Sequence, residues 1–428
     1  MGTTSVRQRF LGAATAIAVV GTSMGLAGCG GSNGAAKDVT LKLVAADYGN
    51  SPANSSKKYW SALADQFEAK NPGIKVDVDV RSWVTVDSDV AAMVKKHQAP
   101  DIAQIGSYAG YAKQGDLYSA DELLDIPTQS NFLTQLSEAG QVDQVQYGMP
   151  FVASTRLLFY NKKLFDQAHV EAPKTWSDIK TDAEALKQQG VTTPFALPLG
   201  PEEAQAESMM WMLSGGGGYT RDTDGSYNID GAENIDTFKW LQQNLVGPGL
   251  TGPVAPDKLN RTPAFKAFTS GKVGMLNGHP TLLHEAEKAG IKVGMVPLPG
   301  MTGPSKASMG VADWIMGFKQ NGHAKEIGKF LDFAYSDKNV MKFVGQYDLL
   351  PVTYSANDVM SADPKYKDLK QFESALPSSQ LPPVDKTSWS AVSESIKKDI
   401  GKAVEPGASP ASVLGGIARK ATAAESAD

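Results

Sequence analysis

The sequence predicts an α/β fold in which mostly parallel sheets carry helices on their faces. Two observations lead there. Between Val39 and Ile105 the chain reads strand, helix, strand, helix, strand within about 65 residues, the pattern of a sheet covered by its own crossover helices. The chain has 428 residues, 42% hydrophobic and 20% charged, so it can bury a large core, at a length that suggests two or three domains.

Each element has a local reason. Residues 39–45 (VTLKLVA) alternate apolar and polar side chains, as a strand does. Residues 60–69 (WSALADQFEA) repeat apolar positions every three or four residues, one face of a helix, and Asn71-Pro72-Gly73 stops it. Residues 74–80 (IKVDVDV) alternate strictly and form the second strand. A helix follows over 87–96, and Pro100-Asp101 opens a short apolar strand at Ile102–Ile105. Ligands of such sheets bind beyond the carboxyl ends of the strands. The residues found there are Asp47 and Tyr48, Arg81 to Trp83, and Gly106 to Tyr108, so each group carries an aromatic ring.

Ahead of these elements, Arg7 and Arg9 precede an apolar run over 10–20, a stretch of small residues over 21–28, and Cys29, the only cysteine. A positive start, an apolar centre and small residues before a cleavage point are the parts of an export signal. The run falls short of the ~20 apolar residues a spanning helix needs, so removal of residues 1–28 is expected. Leu26-Ala27-Gly28-Cys29 resembles the lipobox of bacterial lipoproteins, whose cysteine thiol takes a diacylglycerol and becomes the first mature residue. That resemblance implies lipidation of Cys29, each buried methylene contributing about 0.8 kcal/mol to membrane attachment. An ordinary secretory signal with an unrelated cysteine is the alternative. Residues 29–37 are then the lipidated cysteine and a Gly/Ser/Asn/Ala tether. No thiol remains for a disulfide, a zinc finger or a catalytic cysteine. The formal charge of −5, with no long run of one sign, gives no support to a nucleic-acid or anionic-membrane role, leaving the lipid as the sole membrane contact.

Residues 147–165 (YGMPFVASTRLLFYNKKLF) set two apolar strand-like pieces around Ala153-Ser154-Thr155-Arg156, and a helix opens at Pro173-Lys174-Thr175-Trp176-Ser177-Asp178. This stretch resembles the hinge-crossing segment of the extracellular solute-binding proteins of ABC importers, in the family that takes maltose and other oligosaccharides. Residues 99–102 (APDI) with 111–117 (YAKQGDL), 265–275 (FKAFTSGKVGM) and 293–300 (VGMVPLPG) resemble further segments of that family in its own order. The likeness covers about residues 39 to 350.

The resemblance implies a two-lobe periplasmic-binding-protein-like fold of type II, with a mostly parallel, helix-flanked sheet in each lobe and the ligand cleft between them. Carried onto this chain, lobe 1 is residues 38–151 plus 297–335 and lobe 2 is 152–296 plus 336–428, with hinges near 152–155, 294–296 and 335–338. It also implies a monomeric receptor without cofactor, lipid-anchored at the extracytoplasmic face of the cell membrane. Such a receptor captures a carbohydrate, a di- or oligosaccharide, by lobe closure and delivers it to the transmembrane subunits of an ABC permease. No catalytic role is implied.

A sugar needs flat apolar surfaces for its C–H faces and planar polar groups for its hydroxyls. In the first lobe the candidates are Tyr48, Trp83 and Tyr108, with Asp47, Arg81 and Ser107 as hydrogen-bonding neighbours. In the second they are Thr155 and Arg156 after the crossover, and Glu207 and Trp211 on a helix read over 202–213. For each aromatic, core burial or a plain surface loop competes, most of all for Trp211 within its apolar run MMWML. Where the family usually has Gly-Pro-Trp, this chain has Gly278-His279-Pro280. His279 is either the replacement for the usual stacking ring or a loop residue without a ligand role. Asp313-Trp314 interrupts an apolar stretch (GVADWIMGF) where the family often has cleft contacts, and an Asp there needs a partner.

Other motifs fail. Gly21-Thr22-Ser23-Met24-Gly25 fits G-x-S-x-G but lies in the signal. Gly215 to Gly218 lacks the Lys-Ser/Thr of a phosphate loop, and residues 219–230 read as a hairpin turning at Asp224-Gly225, without the closing Glu of a calcium loop. The five histidines are scattered, so no metal site is expected. Adjacent Glu202 and Glu203 read as helix-dipole partners. The rival class, an exported glycoside hydrolase, needs two carboxylates flanking one bond, and no such pair can be nominated. A nearer alternative is a non-sugar polar ligand such as a glycerophosphodiester, for which Arg81, Arg156 and His279 matter more.

Overall fold

The computed structural model describes residues 38–427 apart from Asn50 and Lys306. The signal, Cys29 and the tether lie outside the described residues. Among the described residues no helix is long and apolar enough to cross a membrane.

The N-terminal elements follow the hydrophobic periodicity. Strand β1 (Val39–Asp47), helix α1 (Lys57–Lys70), strand β2 (Ile74–Ser82), helix α2 (Val86–Lys95) and strand β3 (Ile102–Ile105) come in that order. β1 pairs parallel with β2 from Val39↔Ile74 to Asp47↔Ser82, and parallel with β3 on its other side. α1 buries Tyr59, Trp60, Leu63, Ala64 and Phe67, the face its spacing predicts. After α1 the chain reverses at Gly73, whose φ of +92° suits a residue without a side chain.

Strand β4 (Met149–Thr155) and the distant strand β9 (Gly310–Gly317) complete a first sheet of order β2-β1-β3-β9-β4. The second sheet contains β5 (Leu157–Asn161), β6 (Thr193–Phe195), β7 (Val273–Gly278) and β8 (Val293–Val296), in the order β8-β5-β7-β6. In each sheet one strand runs against the others, so both are mostly parallel in strand direction, as expected. β9 is antiparallel to β3 and β4, and β5 is antiparallel to β7 and β8. The cause is the crossing itself: a strand that enters a sheet from the hinge runs opposite to strands that end there.

The chain passes from the first sheet to the second at Arg156 and returns between Val296 and Gly310. Helices α7 (Asp337–Tyr347) and α8 (Tyr354–Ala362) then stay with the first sheet, which departs from the expectation that residue 336 opens lobe 2. The Phe343 ring lies 4.7–6.2 Å from the rings of Tyr48, Tyr59, Trp60 and Phe151. Leu350 exchanges backbone hydrogen bonds with Ala153. An amphipathic helix fits either sheet equally well by pattern, so the sequence carried no sign of which it would cover. Helices α9 (Trp389–Asp399) and α10 (Pro410–Ala427) pack on the second sheet's side instead, where Trp389, Val392, Ile396 and Leu414 join the cluster containing Trp176 and Trp211.

Candidate functional site

The carboxyl ends of β1, β2 and β4 and the start of β9 face the loop after β6, the end of β7 and helix α5 (Arg261–Thr269) across a cavity of about 1100 Å³. The first sheet contributes Asp47, Tyr48, Trp83, Val84, Val311 and Asp313, the crossing contributes Ser154 and Arg156, and the far wall contains Glu202, Glu203, Arg261, Phe265 and His279.

On the first wall Tyr48 is the organising side chain. Its Oη donates to Asp313 Oδ2 at 2.7 Å and accepts from Gln104 Nε2 at 2.9 Å. Its ring meets the half-buried Trp83 edge-on, centroids 5.4 Å apart. Burial pushes the Asp313 carboxyl up to about 6, the Tyr48 hydrogen bond working against it. Asp47 reaches the cavity, but its carboxylate accepts from Gly49 N, Ser56 N and Ser55 Oγ at 2.7–3.0 Å and so shapes the loop before α1.

On the far wall two arginines and two glutamates form one network. Arg156, 8% exposed, donates to Ser154 Oγ at 2.9 Å and to Glu203 Oε1 at 3.0 Å. Arg261 Nε pairs with the other oxygen of Glu203, and its Nη2 donates to Glu202 Oε1 at 2.9 Å. Thr262 N and Oγ1 also donate to Glu202. Glu202 and Glu203 therefore do more than face a helix dipole: they sit just before helix α4 (Ala204–Ser214) and neutralise both guanidiniums. The Arg261 guanidinium also lies 5.2 Å from the centroid of the Phe265 ring, which in turn lies 5.0 Å from His279. Burial, reinforced by the charges of Arg156 and Arg261, holds His279 well below the usual imidazole range, so it is neutral, with one donor and one acceptor nitrogen.

Six expected site residues lie away from the cavity. Trp314 is 0% exposed and packs against Tyr108, ring centroids 5.2 Å apart, because it follows the cleft-facing Asp313 in a strand and points the other way. Tyr108 donates to the carbonyl of Ala139. Trp211 sits among Trp176, Phe195 and Trp240, as its apolar run favoured. Thr155 Oγ1 donates to the Phe372 carbonyl at 2.9 Å, and Ser107 is engaged with Asp87. Arg81 ion-pairs with Asp79 and Asp89. The residues missed are Arg261 and Phe265, together with the pairing role of Glu202 and Glu203. Arg261 and Phe265 are four apart, a spacing that puts both on one face of α5 and was legible.

Next to the cleft, Glu207 of α4 is buried and accepts from Trp211 Nε1 and Asn277 Nδ2, each at 2.9 Å. Burial raises its carboxyl to about 8, the two hydrogen bonds opposing the rise. A carboxyl whose folded value lies above its unfolded one binds more protons when native, so stability falls as pH rises through that window. Glu207→Gln removes the titration while keeping the shape. The variant's melting temperature relative to wild type is expected to rise from about pH 5 to about pH 8, read by scanning calorimetry. A constant difference would mean that the carboxyl is ionised in the native state.

Comparison with known proteins places this geometry. Residues 62–374 match the family described as bacterial extracellular solute-binding proteins. The diacetylchitobiose-binding protein DasA of Streptomyces coelicolor is 26% identical over 349 residues, covering 76% of this chain and 77% of that protein. The sn-glycerol-3-phosphate-binding periplasmic protein UgpB of Escherichia coli is 24% identical over 358 residues, covering 74% and 79%. The GacH receptor of Streptomyces glaucescens, solved unliganded and with acarbose, superposes with a TM-score of 0.75 at 20% identity, covering 91% of this chain and 99% of that one.

Proposed function

We propose, from the premise that this chain belongs to the bacterial extracellular solute-binding protein family, that it is the lipid-anchored receptor of a carbohydrate ABC importer. It takes a neutral di- or oligosaccharide into the cleft between its two sheets and delivers it to the permease at the extracytoplasmic face of the membrane. The lipid is attached at Cys29, and the receptor acts as a monomer. Closure on the sugar is favoured by the contacts it makes with both walls at once.

The observation that carries this reading is the far-wall network. Arg156 and Arg261 both line the cavity, and each already has a carboxylate partner in Glu203 or Glu202. A phosphate would have to displace those partners or bring a second anion beside them. A sugar meets instead the Trp83 and Phe265 rings, the Tyr48–Asp313 pair and a neutral His279, which match C–H faces and hydroxyls. DasA and GacH, by their names and ligands, bind sugars. UgpB, named for a glycerol phosphate, supports the alternative of a non-sugar phosphate-bearing ligand, as do Lys266, Lys288 and Lys397 around the cavity.

The test is a thermal-shift screen of the soluble part after Cys29 against maltose, cellobiose, laminaribiose, diacetylchitobiose, monosaccharides and glycerophosphodiesters, with product analysis. A sugar present at a hundred times its Kd is expected to stabilise the protein by about 2.7 kcal/mol and to be recovered intact. A shift from a glycerophosphodiester alone moves the assignment to the charged ligand. A sugar recovered cleaved makes the protein a hydrolase.

A further inference from the structure

One ion pair joins the two walls of the cleft. Helix α6 (Pro280–Lys288) connects β7 to β8 and so belongs to the second sheet, and its Thr281, Glu285 and Lys288 line the cavity. Helix α7 belongs to the first sheet: its last residue, Tyr347, has its ring 5.7 Å from that of Tyr48, and Leu349 just beyond lines the cavity from that side. Between the two helices, His284 Nδ1 stands 3.8 Å from Asp348 Oδ2.

Asp348 occupies an unusual place for a side chain. It closes α7 in the left-handed region, with φ of +53°, where glycine is the usual residue and a Cβ carries a cost. Its carboxyl is half-buried, and burial raises its pKa against the opposing charges of His284 and Lys365. The His284 side chain is 64% exposed, so its ring exchanges protons freely with solvent. The contact is an ion pair only while that imidazole is protonated, and an imidazole is the side chain that changes charge between about pH 5 and 8.

We propose that His284 and Asp348 form a proton-controlled clasp across the cleft, which holds the two sheets together when the imidazole is charged and releases them when it is neutral. The clasp joins helices that both border the cavity, so it acts on opening whatever the cleft binds. Its sign follows from the charges: it weakens as pH rises through the imidazole range. The other charged groups around it are Lys365 from the turn after α8, Glu285, Glu287 and Lys288 on α6 itself, and Lys266 of α5, which packs on α6. Of the cleft groups, Asp313 titrates near 6 and His279 stays neutral, and neither is altered by a substitution at 284 or 348.

The experiment measures the distance between the two sheets' sides without ligand. The chain after Cys29 has no cysteine, so spin labels at Asp65→Cys on α1 and Lys163→Cys on the helix after β5, both exposed, are the only ones present. Electron–electron distance distributions are recorded at about pH 6 and about pH 8.5 in the labelled parent, His284→Lys, which is charged at both, and Asp348→Asn, which suits the left-handed backbone and removes the charge. The parent is expected to shift its ratio of clasped to open forms about two- to fivefold between the two conditions. His284→Lys is expected to keep the clasped distribution at both, and Asp348→Asn the open one. A parent distribution that ignores pH, an equal shift in Asp348→Asn, or a shift that persists in His284→Lys overturns the clasp and leaves the receptor reading untouched.

Discussion

Trp83→Ala is expected to cost about 2–4 kcal/mol of sugar binding, roughly 30- to 1000-fold in Kd, while the empty protein melts close to the wild-type temperature. Trp83 lines the cavity from the loop after β2, and its ring is half-buried against Tyr48. Truncation removes a stacking surface that gains its full burial only with ligand in place. Trp314→Ala has the opposite profile. That ring is fully buried against Tyr108 behind the cleft, so its loss leaves a cavity costing about 3–5 kcal/mol of stability, with affinity changed only as far as the fold loosens. Paired calorimetric titrations and thermal melts separate the two. Equal loss of affinity in both variants without destabilisation of either would overturn the placement of Trp83 in the cleft and Trp314 in the core.

The second large effect is expected from Glu203→Gln. This carboxylate bridges Arg156 and Arg261, and the substitution removes one negative charge from the far wall. Arg156 is buried, so leaving it short of a counter-ion costs about 1–3 kcal/mol of stability, an amount that thermal melts detect. The freed guanidinium then makes the cleft attractive to anions. Glycerol phosphate is expected to stabilise the variant and not the wild type, with the difference shrinking as salt screens it. A wild type that binds glycerol phosphate as well as the variant does would show that the Glu202–Glu203 pair does not set the charge preference of the site.

Much of this was written locally. The alternating runs at β1 and β2 and the helical spacing of α1 specify their elements, because side chains two residues apart in a strand, and three or four apart in a helix, share a face. The hairpin at Asp224-Gly225 was legible for the same kind of reason: Gly225 takes φ of +67°, and Arg221 N donates to Ser226 O across the turn. The aromatic residues past β1 and β2 fall at the cleft because strand ends in such sheets meet there.

What the sequence by itself determined was element type, the α/β class and the strand ends that bring Tyr48 and Trp83 to the cleft. The tertiary structure decided the rest. Asp313 and Trp314 are neighbours in one apolar strand, and only the sheet behind that strand separates the cleft-facing carboxylate from the buried indole. Glu203, Arg156 and Arg261 lie up to 105 positions apart, and no local pattern announces that two guanidiniums will share one carboxylate. The helix carrying Phe343 had an apolar face suited to either sheet, and packing against Trp60 and Phe151 chose the first. Periodicity encodes which side of an element is buried. Which partner buries it, and which charges that burial brings together, depends on contacts between segments far apart in the chain.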